Sequence, residues 1–157
     1  MFVLDHKTIK LNLWFQGYEA PEHRYNGDDD SWAGFHAEIK TQKFEFESHL
    51  TDIESASIDY LKKLLEDFLD NKMDKVMYYS PVEEGFNIRF YPKGTNYGFV
   101  KHYDKDKNLI EDKEIELSIA VPDEDWVSSY VSVKFILDED ETKHLYEYIC
   151  HVINNEH

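Results

Sequence analysis

Hydrophobic and polar residues alternate along six short stretches of the chain, at residues 9–15, 35–39, 44–46, 86–90, 115–121 and 131–137. This spacing predicts β-strands, because successive side chains of a strand point to opposite faces. Residues 76–79 and 97–103 are two further strand candidates. Short turns join neighbouring stretches, one of them near Thr41 and Gln42, so we expect mainly antiparallel pairing.

A longer segment, residues 51–72, has apolar positions at the three- and four-residue spacing of an amphipathic helix. The apolar stripe consists of Ile58, Leu61, Leu65 and Phe68. Thr51 and Glu54 are spaced as a capping box, which predicts the start of the helix there. The helix is expected to end near Asn71 and Lys72, where the lysine cation suits the negative end of the helix dipole.

A second helix is predicted for residues 138–154. Its apolar stripe consists of Leu145, Tyr148, Ile149 and Val152. Asp138 and Glu141 have the spacing of a capping box, and carboxylates are favoured at the positive end of the helix dipole. We therefore interpret the acidic cluster 138–141 as structural.

The predicted order of elements is three strands, a helix, five strands and a helix. A length of 157 residues is typical of one domain, so a single domain spanning 1–157 is expected. The order predicts an α+β fold in which two amphipathic helices pack on a mainly antiparallel β-sheet.

The composition adds a strong negative charge to this fold. Lys and Arg number 17 and Asp and Glu number 33, which gives a net charge of −16. Such a surface repels phosphates, so direct binding to nucleic acid or to an anionic membrane is not expected. The charge exceeds the magnitude of about 2–8 recommended for small designed domains, and self-repulsion lowers stability. The excess favours a basic protein as the partner.

The candidate partner-binding residues lie in acidic clusters, most of them in the last third of the chain. Residues 101–157 hold 15 acidic and 6 basic residues. The candidates are Asp123, Glu124, Asp125, Trp126, Glu111, Asp112, Asp28, Asp29 and Asp30. A Trp flanked by carboxylates resembles a binding anchor with a rim that steers a basic partner. The alternative for Trp126 is a solvated hairpin whose indole packs on the sheet.

No catalytic, cofactor-binding or metal-binding residues are predicted. The sequence has no GxSxG, P-loop or GxGxxG motif. His144 and His151 are two helical turns apart, about 10 Å along the axis, which is too far for one metal ion. Asp28–Asp30 lack the alternating ligands of an EF-hand, so these residues are interpreted either as solvated turn residues or as a weak calcium site. A non-enzyme is expected. The alternative of a hydrolase that uses a metal ion at Asp28–Asp30 ranks third, below two hypotheses in which the chain binds a protein without chemistry.

The compartment follows from the cysteine content and the N-terminus. Cys150 is the single cysteine, so no disulfide forms within the chain, which fits a reducing compartment. Polar residues such as Asp5 and Lys10 interrupt the first 15 residues, which predicts neither a signal peptide nor a membrane span. A cytoplasmic protein is expected.

Three segments, together with the order of the elements, carry a family resemblance. Gly17-Tyr18-Glu19-Ala20-Pro21 follows the first predicted strand, and Asp29-Asp30-Ser31-Trp32 opens the second, with Ser31 in place of a usual Asn. Ser80-Pro81 precedes the strand at 86–90. With the helix at 51–72 and the closing helix, this pattern resembles the WapI-type immunity protein family of bacterial polymorphic-toxin systems. Tyr18 and Trp32 are interpreted as core or strand-edge anchors.

The resemblance implies a cytoplasmic inhibitor, encoded beside a toxin, that binds the C-terminal nuclease domain of that toxin. It implies no particular interface residues, because such surfaces differ with each toxin. Nucleases are cationic because they hold phosphates, so an acidic inhibitor is expected to associate fast and to occlude the active cleft without chemistry. The alternative is a non-enzymatic acidic module that regulates another basic protein.

Overall fold

The computed structural model of the chain describes residues 1–24, 31–43, 45–81, 86–95, 106–107, 113–122 and 130–155. Within these ranges the strands form two antiparallel sheets of four strands each, in the orders β1-β2-β3-β4 and β5-β6-β7-β8. The first sheet consists of β1 (Phe2–His6), β2 (Ile9–Gln16), β3 (Trp32–Thr41) and β4 (Glu45–Glu54). The second consists of β5 (Met77–Tyr79), β6 (Phe86–Tyr91), β7 (Glu114–Pro122) and β8 (Tyr130–Leu137).

Two helices complete the fold, so the predicted α+β class with antiparallel sheet structure is confirmed. Helix α1 (Ser55–Leu69) follows β4 directly, and α2 (Glu139–Asn155) follows β8. A short 3₁₀ turn, Pro21–His23, lies between β2 and β3. In the part of the chain that the structure describes, no helix is long and apolar enough to cross a membrane.

One hydrophobic core joins both sheets and both helices. The sheets meet where the rings of Phe35 and Phe86 lie 4.6 Å apart between centroids. Helix α1 packs against the second sheet through Phe68, whose ring centroid is 5.6 Å from that of Phe90. Helix α2 reaches the first sheet, where the Tyr148 hydroxyl accepts a 2.9 Å hydrogen bond from the amide of Phe15. The inner faces of both sheets are therefore used by the core.

The predicted helix start at Thr51 and Glu54 is wrong. Both residues belong to β4, which pairs Trp32 with Glu54 and Ala33 with Ile53, and Ile53 is fully buried. Burial of Ile53 in the sheet outweighs a local cap, because a capping box contributes only about 1 kcal/mol. The helix begins at Ser55, and its first amide donates to the carbonyl of Ser31 at 2.9 Å.

The predicted capping box at the start of α2 is confirmed. The amide of Glu141 donates to Asp138 Oδ1 at 2.8 Å, and the amide of Asp138 donates to Glu141 Oε2 at 3.1 Å. Two amides that the helix leaves without partners are thereby satisfied.

The cation at the end of α1 is Lys113, not the predicted Lys72. Lys72 pairs with Asp70 at 3.1 Å, and the hydrogen bond to Asp70 raises the pKa of Lys72. Lys113, just before β7, donates from Nζ to the carbonyls of Phe68 at 3.2 Å and Leu69 at 2.8 Å. Only the folded chain brings residue 113 to the end of α1, so no local pattern indicates this contact.

Two further differences concern the strands. The sequence pattern missed β1, whose Phe2 and Leu4 are buried and whose register pairs Phe2 with Leu13. The predicted strand at 97–103 lies outside the described residues. The other predicted strands are confirmed, with bounds that differ by a few residues, and β4 is longer than expected.

Candidate protein-binding surface

The partner-binding residues predicted from the sequence lie outside the described residues. They are Asp28, Asp29, Asp30, Glu111, Asp112, Asp123, Glu124, Asp125 and Trp126. The first three precede Ser31 in the chain, and Ser31 precedes Trp32 at the start of β3. Chain continuity thus connects one of the predicted acidic clusters to the first sheet.

Several acidic residues that are described take part in the fold itself. Glu139 lies 3.2 Å from Lys113, and Glu141 lies 2.6 Å from His6 of β1. Asp59 of α1 lies 2.6 Å from Arg24. Carboxylates at these places stabilise contacts between elements, so they are poor candidates for partner binding.

The outer face of the first sheet, here called the first-sheet face, carries exposed and half-buried side chains in its described part. Residues of β1, β2 and β3 that alternate with the buried ones form this part, since side chains of a strand alternate between faces. Its described members include Val3, Lys10, Asn12, Trp14, Gln16, Trp32, Gly34, His36, Glu38 and Lys40. Buried residues of the same strands, such as Leu11, Leu13 and Ile39, point to the core.

Aromatic rings occupy the middle and one end of the first-sheet face. Trp14 and His36 are register partners on β2 and β3, and their rings stack with centroids 5.1 Å apart and an interplanar angle of 2°. Trp32, at the start of β3, is 43% exposed. Within the described residues its indole makes no ring contact. Exposed Trp residues are frequent anchors of protein–protein interfaces.

Gly34 contributes no side chain to this face. It lies on β3 midway between Trp32 and His36, where residues two apart share a face. Its register partners are Gln16 on β2 and Asp52 on β4. A glycine inside a strand often marks a place where another group approaches the backbone closely.

The ion pairs found among the described residues of the first-sheet face lie at one end of it. Around the β1–β2 turn, Lys10 lies 3.9 Å from Asp5, and at the β3–β4 turn Lys40 lies 3.4 Å from Glu45. At the opposite end Glu54 pairs in register with Trp32. No ion pair or side-chain capping bond of Glu54 is found among the described residues.

A hydrogen-bonded cluster fixes the chain beside this end. Gly17 directly follows β2 and has a φ of 83°, and the buried Tyr18 after it donates from its hydroxyl to Asp59 Oδ1 at 2.6 Å. Burial and this hydrogen bond raise the pKa of Tyr18. Arg24 donates to Asp59 Oδ2 and to the carbonyl of Glu19 at 3.0 Å. Tyr18 is thus a core residue, as expected, and its segment ties the β2–β3 connection to α1.

The outer face of the second sheet, here called the second-sheet face, uses its polar groups within the chain. The Arg89 guanidinium lies 5.8 Å from the ring centroid of Tyr78, and both residues are exposed. Arg89 pairs in register with Glu116, which lies 3.3 Å from Lys134 of β8. Aromatic ring, guanidinium and carboxylate therefore occupy three adjacent strands as one connected set.

Comparison of the chain with protein-family models, with curated proteins and with solved structures found no match. The family resemblance therefore depends on the sequence segments alone. Among the residues that the structure describes, no group of three or more His, Cys, Asp or Glu side chains is arranged to hold a metal ion.

The sequence analysis did not select the first-sheet face as a binding surface. It interpreted Trp32 as a core or strand-edge anchor, and the structure places this residue at the start of β3 with a large exposed fraction. One sequence signal was present: Trp32 follows Asp28–Asp30 and shares a strand face with a glycine two residues later. That signal becomes informative only once the outward side of β3 is known.

Proposed function

We propose that this chain is a cytoplasmic immunity protein that binds the C-terminal domain of a cognate toxin and neutralises it. The toxin domain is a basic nuclease, and the immunity protein covers its active cleft. Steric and electrostatic occlusion is sufficient for this role, so no bond is made or broken by the immunity protein.

The observation that carries the proposal is the net charge of −16. Nuclease clefts concentrate positive charge to hold phosphates, and complementary charge accelerates association with such a partner. The resemblance of the Gly17–Pro21 and Asp29–Trp32 segments to an immunity family supports the same function. The exposed Trp32 on the outer face of the first sheet supports binding to a protein.

The first test is co-purification with the C-terminal domain of the toxin encoded beside this chain, measured as a function of salt. A complex is expected that weakens as NaCl rises from about 0.1 to 1 M, because the Debye length falls from about 10 to about 3 Å. Absence of a complex at every salt concentration contradicts the proposed function. A complex with unchanged affinity at high salt contradicts the electrostatic mechanism alone.

The predicted acidic loop is tested by replacing Asp123, Glu124 and Asp125 with Asn, Gln and Asn. This variant is expected to associate more slowly with the toxin domain, because charges at an interface mainly set the association rate. A matched control removes three exposed carboxylates elsewhere, in the variant Glu22→Gln, Asp74→Asn, Glu147→Gln. Equal slowing in both variants would show that the loop 123–125 is not part of the interface.

A further inference from the structure

We draw no further inference here: the strongest candidate, the surface patch on the outer face of the first sheet where the exposed Trp32 pairs in register with Glu54, carries none because nothing in the described part of the structure shows what covers it.

Discussion

The outer faces of the two sheets carry similar residue types, but the charged groups on the two faces differ in whether they have partners among the described residues. On the second-sheet face, Arg89 lies beside Tyr78, and Lys134 neutralises Glu116. On the first-sheet face, Trp32 and Glu54 form a register pair, and no ion pair of Glu54 is found in the part of the chain that the structure describes. Groups that are already paired within the chain contribute to the fold, whereas unpaired groups at the surface can bind a partner. This difference makes the first sheet the better candidate for binding a partner.

The two sheets are also attached to the helices by different means. The second sheet is joined to α1 by Lys113, which is 6% exposed and hydrogen-bonds to two helix carbonyls and to Asn71 Oδ1. The first sheet is joined to α1 by the Tyr18 hydroxyl on Asp59. Replacing a buried cation lowers the stability of a protein more than removing a neutral hydroxyl, because the hydrogen-bond partners of the cation remain unsatisfied in the core.

The largest effect is expected for Lys113→Met, which leaves the last carbonyls of α1 without their donor. We expect a loss of about 3 kcal/mol in the free energy of unfolding, measured with urea. Lys134→Met removes an exposed lysine from β8 and is expected to cost less than about 0.5 kcal/mol. Similar losses in both variants would contradict the structural role of Lys113.

A smaller effect is expected for Tyr18→Phe, which removes the hydroxyl bonded to Asp59. We expect a loss of about 1.5 kcal/mol, because the hydrogen bond is to a charged group in a partly buried place. Tyr60→Phe, which alters an exposed tyrosine on α1, is the control. Equal losses in Tyr18→Phe and Tyr60→Phe would contradict the structural role of the Tyr18 hydroxyl.

The capping box of α2 connects the two sheets, because it follows β8 and its Glu141 also contacts His6 of β1. Asp138→Ala is expected to cost about 1 kcal/mol of stability in thermal unfolding. Asp140→Ala, in the same helical turn, keeps the cap and should cost less than about 0.5 kcal/mol. Equal costs would mean that the general dipole effect, and not the cap, stabilises α2.

The smallest effect concerns pH and the contact between the helices. The hydroxyl of Tyr146 donates to Glu66 Oε1 at 2.8 Å, and this bond holds the pKa of Glu66 below its ordinary value of 4.5. A carboxyl with a lowered pKa in the folded state stabilises the protein above pH 4.5, and this contribution is lost as the pH falls below it. Tyr146→Phe should therefore cost a few tenths of a kcal/mol near neutral pH, because the group is exposed, and less in acid. A difference that does not change with pH would contradict this assignment.

Local patterns predicted most strands and helices because each pattern reflects burial of one face. Alternation at 9–15 and 131–137 led to β2 and β8, and the three- and four-residue spacing led to both helices. The prediction failed where a tertiary pairing competed with a local signal. Thr51 and Glu54 have the spacing of a cap, but pairing of β4 with β3 buries Ile53 and keeps these residues extended.

The candidate binding surface was harder to predict than the fold. The sequence analysis selected acidic loops because charge is visible in composition, and those loops lie outside the described residues. Trp32 and Glu54 are 22 positions apart in the chain and become neighbours only through the β3–β4 register. A rule that considers only residues close together in the sequence cannot identify a pair of this kind.

The sequence by itself determined the antiparallel α+β class, the two helices, the α2 cap and the negative charge. Each of these depends on residues close together in the chain or on a simple sum over it. The tertiary structure decided that the strands divide into two sheets, that Lys113 ends α1 and that Trp32 is exposed beside Glu54. These features depend on which distant segments pack together, and packing selects the arrangement that buries the most apolar surface and leaves the fewest polar groups unpaired.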